Sequence, residues 1–515
     1  MIPAPLLLSL QAASTNIMPR THQLLLLLFL ALYLLFPSNN SSPDSVYYAA
    51  AVKYSTNLFM PHHLLYNATG VVVIKALEFA GLQPDALALL KVLNAFATVV
   101  GLWLLSRILL LLQMPVGQVT GWLLIAGASF GVWRFATESE VYIFPILLSL
   151  CGSYFWIRWI SAGLSRFLAL AGLCAAVACL YHQMHFFWWF GLLLGTLWHS
   201  RNLSAILQYA LPALLVPLAY LLVLWLGLHQ ELTVQNLLHF VLHDFYMGSA
   251  KSDIGLANFA FSAVNLARTF AQAHLLMLSM VSATWLWLLP AAATLMLLIW
   301  ALLEKQIIKP AKPGTYRLLI GNVHALVLAL HLLFAWFAVG NAEFMAMIPF
   351  LLPLLPWVSV SGRFLQKTGA ALLVWNFWYG AFPAWNYKLS ATADLAEIVH
   401  IKPQSLFVLH DAQKVMIEYF YKYGEEEVAT ILYSPSIRAN RNKPLSGLHH
   451  KIASHLSTGQ SVYTDCIGKV KLISRSSLTV KDVDAVFFDA YLTTPADSVS
   501  TFYGFHYLHQ VGQKK

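Results

Sequence analysis

From Leu24 onward the chain alternates long apolar runs with short polar breaks. A helix crosses a bilayer with roughly 20 apolar residues, and only helices or closed barrels satisfy the backbone in lipid. These runs are far too long for barrel strands, so they predict helices. Eleven spans are expected, over 22–37, 86–106, 115–133, 141–160, 164–181, 184–199, 204–228, 275–303, 317–338, 343–361 and 368–386. After residue 387 the pattern changes. Short β-rich runs at Ser405–Leu409 and Asp484–Phe488 alternate with helix-like stretches at Ala412–Tyr423 and Pro444–Leu456, the signature of a small α/β domain. The expected organisation is a lead over 1–21, an all-α polytopic membrane bundle over 22–387 and a soluble α/β domain over 388–515.

Composition supports the bundle. Of 515 residues, 59% are hydrophobic and 10% charged, where soluble domains carry roughly 25% charged residues. That excludes a cytosolic enzyme, a disordered protein and a nucleic-acid binder. Four cysteines give no disulfide framework, since Cys151, Cys174 and Cys179 sit in apolar runs and Cys466 stands far away. Residues 1–387 hold 10 acids and 17 bases, whereas 388–515 hold 12 and 14. Polar chemistry is therefore concentrated in the last quarter.

With a cytoplasmic N-terminus, the inner loops hold Arg20, Arg107, Arg158, Arg166, Arg201, Lys305, Lys309, Lys312, Arg317, Arg363 and Lys367, with Glu304 as their only acid. That sorting obeys the positive-inside rule. The other nine acids of the bundle fall outside, as does the C-terminal domain. Acids contribute little to topology, so their gathering on one side asks for a functional reason. The expected location is a bacterial plasma membrane.

Candidate chemistry lies in the outer loops. Asp44 follows the first span within Ser-Pro-Asp-Ser. A carboxylate there can act as a general base, and the same motif is ordinary helix-capping chemistry. The segment Pro61-His62-His63-Leu64-Leu65-Tyr66 suits contact with phosphate, a metal or a sugar. Adjacent histidines on a helix diverge by about 100°, which disfavours one shared ion. Next come Arg134, Glu138, Glu140 and Tyr142 in one short loop. Ionisable groups at membrane depth are costly and point to function, although Arg134 and Glu138 are spaced as a helical ion pair. His182, Arg268 and Glu343 stand on the same side, and Arg134 and Arg268 can hold a phosphate.

Asp44 just after helix one, the His/Pro/Tyr segment and Ala136-Thr-Glu138-Ser-Glu140-Val-Tyr142 together resemble the GT-C class of membrane glycosyltransferases, nearest the branch containing protein O-mannosyltransferases. The resemblance covers about residues 22–386 and implies a sugar donor linked to a polyprenyl phosphate or diphosphate. It also implies membrane lipids as surroundings and an acceptor protein, lipid or glycan outside. No nucleic acid is involved. Asp44 is then the base of an inverting transfer, and Glu140 or Glu138 orients the acceptor or sugar. His62, His63, Tyr66, Tyr142, His182 and Glu343 line the donor site, and Arg134 and Arg268 steady the phosphate. Many members carry two adjacent acids in the first loop, whereas Asp44 is followed by Ser45. A divalent metal is thus possible but not implied, and its ligands are unknown.

Other classes fit some of the same features. A transporter or flippase would favour broken helices and ionisable groups near the midplane, for which His324, His331 and Asn322 are the candidates. A lipid-linked glycan ligase and a receptor acting through its tail are further alternatives. In the tail, His410-Asp411 closes a predicted strand, the place where open α/β sheets bind ligands. Asn39, Asn40 and Asn67 begin glycosylation sequons.

Overall fold

The computed structural model describes residues 18–247, 255–274, 276–304, 315–356, 360–424, 430–467 and 483–514. The lead up to residue 17, the loop residues Lys251 and Asp253, and the expected inner-loop bases Lys305, Lys309 and Lys312 lie outside the described residues. The chain divides into two compact units, Met1–Ser38 with Asn57–Phe382, and Asn39–Thr56 with Pro383–Lys515.

The first unit is helical. Five helices are long and apolar enough to cross a membrane: Ala86–Leu111, Ile143–Ala162, Leu203–Gly227, Trp285–Leu302 and Tyr316–Phe337. A sixth candidate is the pair Val116–Ala128 and Phe130–Ala136, bent by 62°. Shorter apolar helices occupy Arg20–Leu35, Ser165–Tyr181 and Ala342–Leu354. In Leu203–Gly227 and Trp285–Leu302 only 17% and 11% of the most apolar stretch is buried inside the protein. Apolar surface on that scale is stable against lipid and not against water. The chain is a membrane protein.

The bend at Ser129 has a local cause. Ser129 leaves helical geometry (φ −59°, ψ 134°), and its hydroxyl donates back to the Ile125 carbonyl at 2.6 Å. Side-chain bonding to the preceding turn is a known source of helix distortion. It re-aims Phe130–Ala136, which carries Arg134.

Helices pack closely here through small residues, as expected where lipid supplies no hydrophobic drive between helices. Gly121 on Val116–Ala128 faces Gly362–Asn376, and an added Cβ would come within 2.3 Å of the Leu365 Cβ and 3.0 Å of the Gln366 backbone nitrogen. Gly121→Leu is therefore expected to force the two helices apart and to cost about 1–3 kcal/mol, typical of overpacking. Thermal unfolding in detergent would read this as a lowered midpoint.

The second unit is an α/β layer. Its sheet has the order β2-β1-β3-β5-β4, with β1 at Leu406–Leu409, β2 at Ile431–Tyr433, β3 at Val462–Thr464, β4 at Tyr491–Thr501 and β5 at Gly504–Gln513. β1 runs parallel to β2 and β3, whereas β5 joins β3 and β4 antiparallel. All four residues of β1 are buried, as a strand covered on both faces requires. Phe407 and Leu409 pack with Leu395, Val399, Val415 and Tyr419. Leu406 and Val408 pack with Leu448, Ile452, Phe487 and Phe488.

Besides the β4–β5 hairpin, which the sequence reading did not expect, two features differ from the sequence expectation. Asp484–Phe488, read as strand, lies within the helix Val483–Phe488. The adjacent Phe487 and Phe488 are both buried in one core cluster, whereas neighbours on a strand point to opposite faces. The second unit also begins at Pro383 and takes in residues 39–56. Asn40 shows why: its amide donates to the carbonyls of Ala384 and Tyr387, at 2.7 and 2.6 Å, and accepts from Leu389 N at 2.8 Å. The helix Pro43–Tyr54 continues this attachment, with Lys53 Nζ and the Tyr54 hydroxyl both donating to the Tyr421 carbonyl. The sequon residue Asn67 is fully buried, and its amide donates to the Asn57 carbonyl.

Candidate functional site

Several ionisable residues of the helical unit stand where its helices end. Arg134 lies in the last turn of Phe130–Ala136, and Thr137 ends that helix. The following segment turns inward, leaving Glu138 and Glu140 only 5% and 3% exposed. A buried turn must have its carbonyls satisfied. Asn94, from the interior of Ala86–Leu111, does this by donating to the carbonyls of Glu138 and Glu140, both at 2.7 Å. Its amide also lies 3.3 Å from the Tyr66 hydroxyl.

Glu343 approaches from another element. Asn341 caps its short helix by accepting from Glu343 N. The Glu343 carboxylate accepts from the Tyr142 hydroxyl at 2.8 Å and stands 4.0 Å from the Arg134 guanidinium. The ion pair of Arg134 is thus with Glu343, 209 positions away in sequence, and not the helical pair with Glu138 that the spacing allowed. Glu138 and Glu140 are also close enough to act electrostatically on Arg134. Arg268 sits near enough to Arg134 for the two cations to repel. Its Nη1 donates to Asn265 at 3.2 Å, and its Nε is buried with no hydrogen-bond partner among the described residues.

Three histidines complete the group. The His182 ring packs 5.3 Å from Tyr142 and 6.0 Å from Phe344. His62 points to Asp244, with Nε2 2.9 Å from the carboxylate, and its Nδ1 lies 3.3 Å from Gln183. Gln183 fixes this corner by donating to the Pro61 carbonyl and the Tyr220 hydroxyl, both at 2.9 Å. His63 is buried, at 6% exposure, and electrostatically coupled to His182.

Burial, with the neighbouring His62, pushes the His63 imidazole down to about 4. At neutral pH it is an uncharged hydrogen-bonding group, suited to a sugar hydroxyl and not to pairing with phosphate. Its folded value lies below the ordinary 6.5, so between these values the unfolded chain binds more protons and stability falls on acidification. The loss is on the order of 3 kcal/mol at about 1.4 kcal/mol per unit. His63→Phe should flatten this part of the acid limb, measured as the change in melting temperature between about pH 7 and pH 4.5.

Of the sequence-selected residues, Tyr66, Arg134, Glu138, Glu140, Tyr142, His182, Arg268 and Glu343 are linked by contact or by charge, and His62 and His63 adjoin them through Gln183 and His182. Asp44 belongs to the second unit. There it is exposed in the first turn of Pro43–Tyr54, and Ser42 provides the N-cap by accepting from Ser45 N at 3.0 Å. Asn94, Gln183 and Asn341 were not singled out by sequence. The signal for Asn94 was available, as an amide inside an apolar span. Among the described residues, this site holds no trio of ligand atoms spaced for a metal ion; the one such trio lies in the C-terminal unit.

No protein-family model matches the chain, and no curated protein shows significant similarity to it.

Proposed function

We propose that the protein is a membrane glycosyltransferase that moves a sugar from a polyprenyl-phosphate donor to a hydroxyl acceptor. The observation that carries this reading is the Arg134–Glu138–Glu140–Tyr142–Glu343 group, with Arg268 beside it, at helix ends in an apolar helical unit. Two neighbouring guanidiniums favour an anion between them. A lipid phosphate supplies that anion, and the surrounding apolar helices suit its isoprenoid chain.

In the proposed reaction the acceptor oxygen attacks the anomeric carbon, and the bond from that carbon to the phosphate oxygen breaks. Polyprenyl phosphate leaves with its electron pair, and the anomeric configuration inverts. The acceptor proton passes to a carboxylate base, assigned to Asp44. Arg134 and Arg268 offset the charge growing on phosphate. Glu140, with Glu138 as the alternative, orients the acceptor or sugar through hydroxyl groups. His62, His63, Tyr66, His182, Tyr142 and Glu343 shape the donor site. The accompanying topology has eleven spans, a cytoplasmic N-terminus and an external C-terminal domain, following the distribution of basic residues.

Purified protein incubated with polyprenyl-phosphate sugars should consume the donor and release polyprenyl phosphate together with a glycosylated acceptor. A donor that stays intact with every acceptor class offered would remove the reading. A second reading, transport or flipping of a glycolipid, draws on His331, buried in Tyr316–Phe337 with neither ring nitrogen hydrogen-bonded among the described residues. Movement of intact glycolipid across proteoliposomes without cleavage would favour it.

A further inference from the structure

The C-terminal unit holds a second polar cluster that the proposed transfer does not use. It lies beyond the carboxyl ends of the parallel strands β1 and β3, the position where open α/β sheets place their ligands. His410 immediately follows β1, Cys466 follows β3 by two residues, and Asp484 projects from the helix Val483–Phe488. One ligand atom from each, an imidazole nitrogen, the thiol sulfur and a carboxylate oxygen, lies within 4.8 Å of the others.

We propose that His410, Cys466 and Asp484 ligate a zinc-class divalent cation. A tetrahedral ion bound at about 2.0–2.3 Å sets its ligands roughly 3.5 Å apart, so rotations of these side chains by about 1 Å close the site. The donor set is selective. Sulfur and imidazole suit zinc and its neighbours, whereas magnesium and calcium take oxygen.

The surroundings are built for this. Asp484 is held by Ser436, whose backbone N–H and hydroxyl each donate to one of its carboxylate oxygens at 2.7 Å. Cys466 N donates to Thr464 Oγ1, which itself donates to the Val408 carbonyl. Such outer contacts orient metal ligands. His410 Nδ1 stands 3.3 Å from Asp484 Oδ2 without the alignment of a hydrogen bond, and its buried Nε2 has no partner among the described residues. Among the described residues the thiol has only long contacts, 3.5 Å to the Val408 carbonyl and 3.6 Å to Asp465. A second carboxylate, Asp465, is also buried, receiving His410 N at 2.8 Å and lying 3.0 Å from His506 Nε2. Among the described residues these two acids pair only with histidines, not with lysine or arginine. Buried carboxylates with so little fixed positive charge favour a divalent cation. Bound there, the ion would tie β1, β3 and the helix Val483–Phe488 together, and its binding energy would add to folding stability.

The test uses the full-length protein, stripped with chelator and purified without a polyhistidine tag. Cobalt alone should bind at one equivalent and give a thiolate-to-cobalt charge-transfer band with tetrahedral visible absorption, and zinc should abolish both. Zinc should also raise the melting temperature. Ser436→Ala, which keeps all three ligands, should weaken binding about 10–100-fold, and Cys466→Ser should abolish the charge-transfer band. No thiolate band in the wild-type protein at equimolar cobalt would overturn the proposal, with no variant needed. A band that persists in Cys466→Ser would overturn it too, since the sulfur would then come from Cys151, Cys174 or Cys179.

Discussion

Asp44→Asn is expected to yield a folded protein whose sugar transfer is slower by about 10²–10⁴, the usual worth of a positioned general base. The amide keeps the shape of the carboxylate and loses only its capacity to take a proton. The structure makes this a clean experiment. Asp44 is exposed in the first turn of Pro43–Tyr54, whose cap is Ser42. The helix-dipole contribution of one acid at such a position is about 0.3–1 kcal/mol. Activity should collapse while the melting temperature barely moves. Full activity in the variant would withdraw Asp44 from the reaction and pass the base role to Glu140 or Glu138.

Asn94→Leu should have the reverse balance, losing stability first and activity with it. Asn94 is fully buried, and its amide satisfies the carbonyls of two residues in the acidic turn. Leucine keeps the branched outline of asparagine, though it is bulkier, and offers no donor. Each orphaned carbonyl then costs about 1–3 kcal/mol, and the turn carrying Glu138 and Glu140 loses its anchor. Melting in detergent should fall clearly, and transfer should fall further than the folded fraction explains. Asn94→Gln, which retains an amide, should recover part of the loss. Unchanged melting in the leucine variant would show that the turn is held by other contacts.

How far the sequence foretold this structure depended on the length scale of the signal. Long apolar runs announced helices because twenty residues of one character leave few alternatives. The helices at Ala86–Leu111 and Ile143–Ala162 start within two residues of the expected spans. Short runs were ambiguous: Asp484–Phe488 has the aromatic and β-branched character of a strand, yet tertiary burial of Phe487 and Phe488 fixed it as helix. The long β4–β5 hairpin was missed because its side chains alternate only weakly between buried and exposed. Residues of the candidate site could be chosen singly, since charge in an apolar chain stands out. Their pairing could not. Nothing local links Arg134 to Glu343, and the plausible partner four residues away was the wrong one. The attachment of residues 39–56 to the C-terminal unit was equally invisible, because it rests on side-chain bonds from Asn40 to backbone more than 300 residues distant.

The decisive measurement is photolabelling of the purified protein with a diazirine-bearing polyprenyl-phosphate sugar, followed by peptide mapping. Binding at the candidate site predicts labelling of the segments around Arg134–Tyr142 and Arg268, suppressed by unlabelled donor and weakened in Arg134→Gln. Labelling confined to other segments, or labelling that unlabelled donor does not suppress, would contradict the assignment of this cluster to a lipid-linked sugar.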